Sequence, residues 1–187
     1  MDEPLLCDSQ QAWEKWLREH HASSSGVSLK IAKKGSGVKT MSHAEALDVA
    51  LCFGWIDNQR LPLDGTYFLQ KYGPRRARSV WSKINTEKAE ALIAQGRMQP
   101  AGLKEVEAAK ADGRWAVAYA SQKNAALPED FLAELEKNPE AKVFFETLNS
   151  INRYAIYYRL QSAKKPETRR ARIANFVTML AEHRKFY

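Results

Sequence analysis

From Asn85 to the last residue, the apolar side chains of this chain recur at helical spacing, and that confines any sheet to the first 84 of its 187 residues. NTEKAEALIAQG reads as a helix capped by Asn85 or Thr86 and closed by Gly96. MQPAGLKEVEAAKADGRW carries Leu103, Val106, Ala109 and Lys110 at helical spacing, with Gly113 at its end. LPEDFLAELEKNPEAKVFFETLNS gives two short helices parted at Asn138-Pro139, each with a proline near its first turn, where the missing N–H is harmless. INRYAIYYRLQSA aligns Ile151, Tyr154, Ala155 and Tyr158, and a final helix from Pro166 towards His183 carries the stripe Ile173, Phe176, Val177 and Leu180.

The first part is mixed. SQQAWEKWLREHH, with Ser9 as cap and Trp13, Trp16 and Leu17 on one face, predicts a short docking helix. GVSLKIAKKGSG alternates Val27, Leu29 and Ile31 against Ser28, Lys30 and Ala32, a strand with one buried face. Its trailing lysines and glycines lack the spacing of a phosphate-binding Walker loop. SHAEALDVAL has a capping box, Ser42 with Glu45, ahead of a helix over about 43–54. Turn residues Pro62, Asp64-Gly65 and Gly73-Pro74 punctuate residues 57–81, and the strand-like stretches there are TYFLQKY and ARSVWSKI. The fold class predicted is α+β, mainly helical, with a small antiparallel sheet in the N-terminal part and an all-helical C-terminal lobe. The predicted domains are residues 1–120 as the core, 121–127 as a linker and 128–187 as the basic helical lobe.

Charge is unevenly spread along the chain. Residues 151–187 hold nine lysines and arginines against Glu167 and Glu182, which accounts for the whole formal charge of +7; the first 150 residues carry 20 groups of each sign. A basic end on a neutral body predicts a small anionic ligand or an acidic protein as partner, with nucleic acid as an alternative and a solvated basic face as the plain structural reading. No run is long and apolar enough to cross a bilayer, and the acidic MDEPLLCDSQ is no signal peptide, so the expected location is the cytoplasm and no membrane insertion is expected. Cys7 and Cys52 lack the spacing of a disulfide framework or zinc site, and Cys52 is expected to pack as a small hydrophobe. No metal or cofactor is expected, and nothing in the sequence fixes an oligomeric state.

Two clusters stand out as candidate sites. CFGWIDNQR puts Trp55, Asp57 and Asn58 directly after a glycine exit from a helix, and PRRARSVWSKIN gathers Arg75, Arg76, Arg78, Ser79, Trp81, Ser82 and Asn85 in one donor-rich span suited to a phosphate or carboxylate. In the last helix Arg169 falls within the apolar stripe, so it needs a bound anion or an internal carboxylate, for which Asp57 and Glu146 are the candidates. The expected ligand site joins these groups in a pocket between the neutral body and the basic lobe. In GRM and GRW the arginines following Gly96 and Gly113 read as helix-terminal groups that satisfy carbonyls. His20, His21, His43 and His183 lack metal-ligand spacing, and no serine sits in a nucleophile elbow, so a hydrolase or metalloenzyme is disfavoured. An enzyme of unread reaction, with Asp57 as acid or base on an anionic substrate, stays as a third reading.

ALDVALCFGWIDNQ, YGPRRARSVWSKIN and GRMQPAGLKEVEAAKADGRW, followed by LPEDFLAELEKNPEAKVFFETL and AKKPETRRARI, resemble the YdeI/OmpD-associated family, also described as bacteriocin-protection proteins. The resemblance runs from about Trp13 to Leu180. It implies a stress or antimicrobial-peptide resistance role and supplies no catalytic residues. It also implies a tryptophan where this chain has Ser28.

Overall fold

The computed structural model describes residues 3–187, which divide into one compact unit ending at Ala118 and another beginning at Tyr119. The N-terminal unit contains strands β1 (Leu5–Leu6), β2 (Val27–Ala32), β3 (Trp55–Pro62) and β4 (Tyr67–Pro74), and helices α1 (Gln10–His20), α2 (His43–Cys52), α3 (Lys83–Ala94) and α4 (Pro100–Ala111). The fold is α+β, and the second unit is helical.

The sheet order is β1-β2-β4-β3. β2 pairs antiparallel with β4, as expected; β3 pairs antiparallel with the other edge of β4, and β1 runs parallel to β2, so the sheet is mixed. The reason is connectivity: α1 intervenes between β1 and β2, and a crossover helix is what a parallel pair requires. The second strand-like stretch is also corrected. ARSVWSKI forms no strand; its serine at 82 accepts from the Asn85 N–H at 3.2 Å and starts α3. The strand that pairs with β4 is Trp55–Pro62, immediately after α2, with a bulge between Asp57 and Arg60.

Local chemistry explains the elements. Ser42 and Glu45 cap α2 reciprocally, and Ser9 caps α1. α2 ends where Gly54 takes φ +72°; a Cβ there would lie 2.9 Å from the Ala101 carbonyl oxygen. Gly102, on α4, is closer still: its Cβ would meet the Cys52 and Leu51 carbonyl oxygens at 2.4 and 2.7 Å. The Gln99 N–H donates to Cys52 O at 3.0 Å, so the start of α4 satisfies the end of α2 backbone to backbone. Trp13, Leu17, Leu29, Ile31, Val49 and Tyr72 form the buried centre between the sheet and its helices. Cys7 and Cys52 are buried within it, and burial pushes both thiols up to about 11.

The C-terminal unit packs α5 (Glu129–Glu136), α6 (Pro139–Glu146), α7 (Ser150–Gln161) and α8 (Pro166–Ala181) around Phe131, Phe145, Ile156, Leu160, Phe176 and Leu180. α7 presents a different stripe from the one its apolar residues suggest. Ile151 and Tyr158 are exposed, and Asn152, Ile156 and Leu160 point inward. The polar member explains the rotation: Asn152 Oδ1 accepts from the Phe186 and Tyr187 N–H groups at 3.0 and 3.1 Å, and Nδ2 donates to Asn149 Oδ1 and Tyr187 O. One buried amide thus fastens the segment after α8.

Candidate functional site

The donor-rich segment leaves β4 at Pro74 and is tied down by two arginines. The Arg75 guanidinium lies over the Trp81 ring at 3.6 Å, with Nη1 donating to Ser79 Oγ at 3.2 Å and to Val80 O at 3.4 Å. Arg114, three residues beyond the end of α4, reaches the same place: Nη1 donates to Ser79 O at 2.9 Å and Nε to the Asp112 carboxylate at 2.7 Å. Both arginines are almost fully buried, 7% and 5% exposed, as is Trp81, which packs on Trp115 at 4.9 Å between ring centres. Cation–π stacking and carbonyl acceptors make this burial tolerable, and Asp112 balances one of the two charges. Ser79 is therefore gripped at its hydroxyl by one arginine and at its carbonyl by the other. Between these anchors Arg76 and Arg78 are exposed, and their side chains make no ion pair or hydrogen bond among the described residues. Ser82 serves as the α3 cap, and Asn85 lies half-buried in that helix's first turn.

The Gly54 exit feeds the other cluster. Trp55 is 1% exposed, donates from Nε1 to His21 O at 3.1 Å and packs edge-on to Trp13 and Trp16, so it is a core residue. Asp57 meets His43, the first residue of α2, with 3.0 Å between Oδ2 and Nε2; both side chains keep partial access to solvent. Tyr72, the cross-strand partner of Asp57, sits beneath them and hydrogen-bonds to the His43 carbonyl at 3.4 Å. Burial, reinforced by the Asp57 charge, pushes its phenol far above the ordinary range. Asn58, exposed at the bulge, borders a cleft of about 560 Å³ together with Ser28, Leu61, Leu69 and Lys71. Ser28, where the resemblance implies a tryptophan, is thus part of an open groove on the sheet.

Arg169 belongs to the C-terminal unit. Its Nε and Nη2 form a fork on the Asp130 carboxylate at 2.5 and 2.8 Å, and Nη1 donates to Leu160 O at 3.0 Å. The partner is neither Asp57 nor Glu146: α5 packs against α8, which brings the first turn of α5 to Arg169. These hydrogen bonds hold the Asp130 carboxyl below the usual carboxylate range. The residues singled out from sequence therefore fall into three groups: Asp57 with His43, Arg75, Ser79 and Trp81 with Arg114, and Arg169 with Asp130. Sequence reasoning gave Arg114 only a helix-end role and gave His43 none. The signal for Arg114 was its neighbour Trp115, a second aromatic placed for the Trp81 stack; His43 had no signal beyond its place at a helix start. Among the described residues no group of three His, Cys, Asp or Glu side chains is placed to hold a metal ion, and no helix is long and apolar enough to cross a membrane.

Residues 5–105 match the model of a family described as a domain of unknown function, DUF8412, and residues 124–183 match the bacteriocin-protection, YdeI or OmpD-associated family. The segments ALDVALCFGWIDNQ and YGPRRARSVWSKIN fall in the first match, so the YdeI/OmpD-associated match itself is carried by the C-terminal part, with Asp130 and Arg169 inside it. No curated protein and no solved structure matches the chain.

Proposed function

We propose, from the premise that this chain belongs to the DUF8412 family and carries a C-terminal bacteriocin-protection, YdeI or OmpD-associated segment, that it is a cytoplasmic, non-catalytic resistance protein binding a small anionic ligand or an acidic partner through its arginine-rich loop. The C-terminal match suggests a bacteriocin-protection-type role. The observation that carries the binding reading is the contrast inside residues 75–81: Arg75 and Arg114 immobilise the backbone, while Arg76 and Arg78 stand exposed and unpaired upon it. Guanidinium groups on a pre-ordered loop lose less freedom on binding an anion than the same groups on a mobile tail. A net charge of +7 also works against direct capture of a cationic peptide.

The test is calorimetric titration with a panel of phosphorylated and carboxylated metabolites and an acidic peptide, comparing wild type with the Arg76→Ala/Arg78→Ala double variant. Binding that the double variant loses, together with loss of bacteriocin survival in cells carrying it, is the expected result. Equal binding by both proteins removes the loop from consideration. A second reading, an enzyme acting on an anionic substrate, is favoured by one contact, the half-open His43–Asp57 pair, which has the reach of an acid–base couple. Asp57→Asn and His43→Ala proteins that protect cells as well as wild type does would end that reading.

A further inference from the structure

The C-terminal unit holds a cationic cleft, of about 620 Å³, where the end of α7, α8 and the segment after α8 meet. Its size lies within the roughly 300–1,000 Å³ range of small-ligand sites. Two guanidinium groups frame it. Arg172 Nη1 donates to Arg159 O and to Ser162 Oγ, and Arg159 Nη1 to Ala155 O at 3.3 Å. Among the described residues neither has a carboxylate within salt-bridge distance, and the Nε and Nη2 groups of both find no acceptor. Each guanidinium is thus oriented through one nitrogen and leaves its remaining N–H donors for something else. The acidic residues of this part of the chain do not supply it: Glu182 is paired with Arg184, and Glu167 makes no ion pair among the described residues.

Aromatic rings complete the cleft. The Arg159 guanidinium stacks over Phe186 at 4.1 Å and lies 6.0 Å from the Tyr187 ring. Tyr187 is 68% exposed, and Tyr158 also presents its ring to solvent. Their placement is ordered, because Asn152 holds the backbone of residues 186 and 187 against α7. A cleft with unused guanidinium donors beside an exposed tyrosine ring is matched by a planar heterocycle joined to a phosphate.

We propose that this cleft binds a mononucleotide, with Arg159 and Arg172 on the phosphate and Tyr187 against the base. The site is independent of the loop at residues 75–81. The experiment is titration of the full chain with AMP, beside adenosine, inorganic phosphate and a single-stranded oligo-dA, followed by calorimetry. Expected are AMP binding at least tenfold tighter than either adenosine or phosphate, and loss of about tenfold in AMP affinity for Tyr187→Ala, the size of one base–aromatic stack. The Tyr187 side chain is mostly in solvent and the substitution keeps the backbone bonds to Asn152, so that variant remains folded; Arg172→Gln, checked by its melting curve, should lose the preference for AMP over adenosine. Made in the Arg76→Ala/Arg78→Ala background, Tyr187→Ala should cause the same loss in AMP affinity, which separates this site from the loop. AMP binding no tighter than phosphate, or unchanged in Tyr187→Ala, overturns the proposal. So does oligonucleotide binding that AMP fails to displace, which would mark a polyelectrolyte surface in place of a site.

Discussion

Arginine does different work in the two units. In the N-terminal unit, Arg75 and Arg114 are buried and spend their donors on Ser79, Val80 and Asp112, with Trp81 as a stacking surface. In the C-terminal unit, Arg169 makes a partly exposed fork with Asp130, and Arg159 and Arg172 reach carbonyls and a hydroxyl with part of their donors left over. Net charge along a sequence therefore does not say which charges are available. The two units carry similar net charge, +3 up to Ala118 and +4 beyond it, yet the first buries two arginines as fasteners and the second keeps several at half use.

The largest effect that tests this contrast is expected from Arg114→Ala. It removes both the grip on Ser79 O and the partner of Asp112 from a nearly closed site, and urea unfolding should register a loss of about 3 kcal/mol, the low end for a broken buried pair because Asp112 is half in water. Next comes Asn152→Ala, which strands the Phe186 and Tyr187 N–H groups and should cost about 1–3 kcal/mol. Faster hydrogen exchange at those two amides would be its direct signature.

Asp130→Asn should cost less, under about 1 kcal/mol at neutral pH, since solvent screens the fork. Its pH dependence has a definite sign. The folded carboxyl titrates below its unfolded value, so its stabilisation is complete above the unfolded pKa of about 4 and is lost as pH falls through the depressed folded value. Wild type should converge on the variant's stability in melts taken from pH 6 down to pH 3. If Arg169→Ala proved as damaging as Arg114→Ala, the contrast between the units would collapse. The smallest effect belongs to Arg76→Ala/Arg78→Ala, within about 0.5 kcal/mol of wild type for exposed positions without partners. A larger loss would show that the exposed arginines also fasten the loop.

Much of the helical framework was legible because its signals are local. Ser42 with Glu45, Gly54, Gly96, Gly113 and Pro166 mark starts and stops through backbone chemistry that needs no tertiary partner. The sheet was harder. β3 carries Asp57, Asn58, Gln59 and Arg60 through a bulge, which disturbs the alternation that announces a strand, and β1 is too short to announce itself. Residues 78–82 failed in the opposite direction: Val80 and Trp81 have strand character, but Trp81 is buried beneath Arg75 and leaves no ladder to form. The candidate site was legible as composition and not as geometry. That Arg114 reaches Ser79, and His43 reaches Asp57, depends on contacts spanning 35 and 14 residues, which no local window contains. Asn152 was missed because a polar residue reads as a gap in an apolar stripe, although here it is the inward face.

The joint between α2 and α4 bears on how the N-terminal unit can be taken apart. Gly102 lies so close to the Leu51 and Cys52 carbonyls that no side chain separates the two helices, and Gln99 closes the last of those carbonyls. The four strands are complete by Pro74, yet the helix that launches β3 is sealed only by residues 99–102. The smallest autonomous piece of this unit is accordingly not the sheet with its first two helices. A fragment cut after Gly96 would contain every strand and still expose the raw end of α2, so the sheet depends for its completion on chain made well after it.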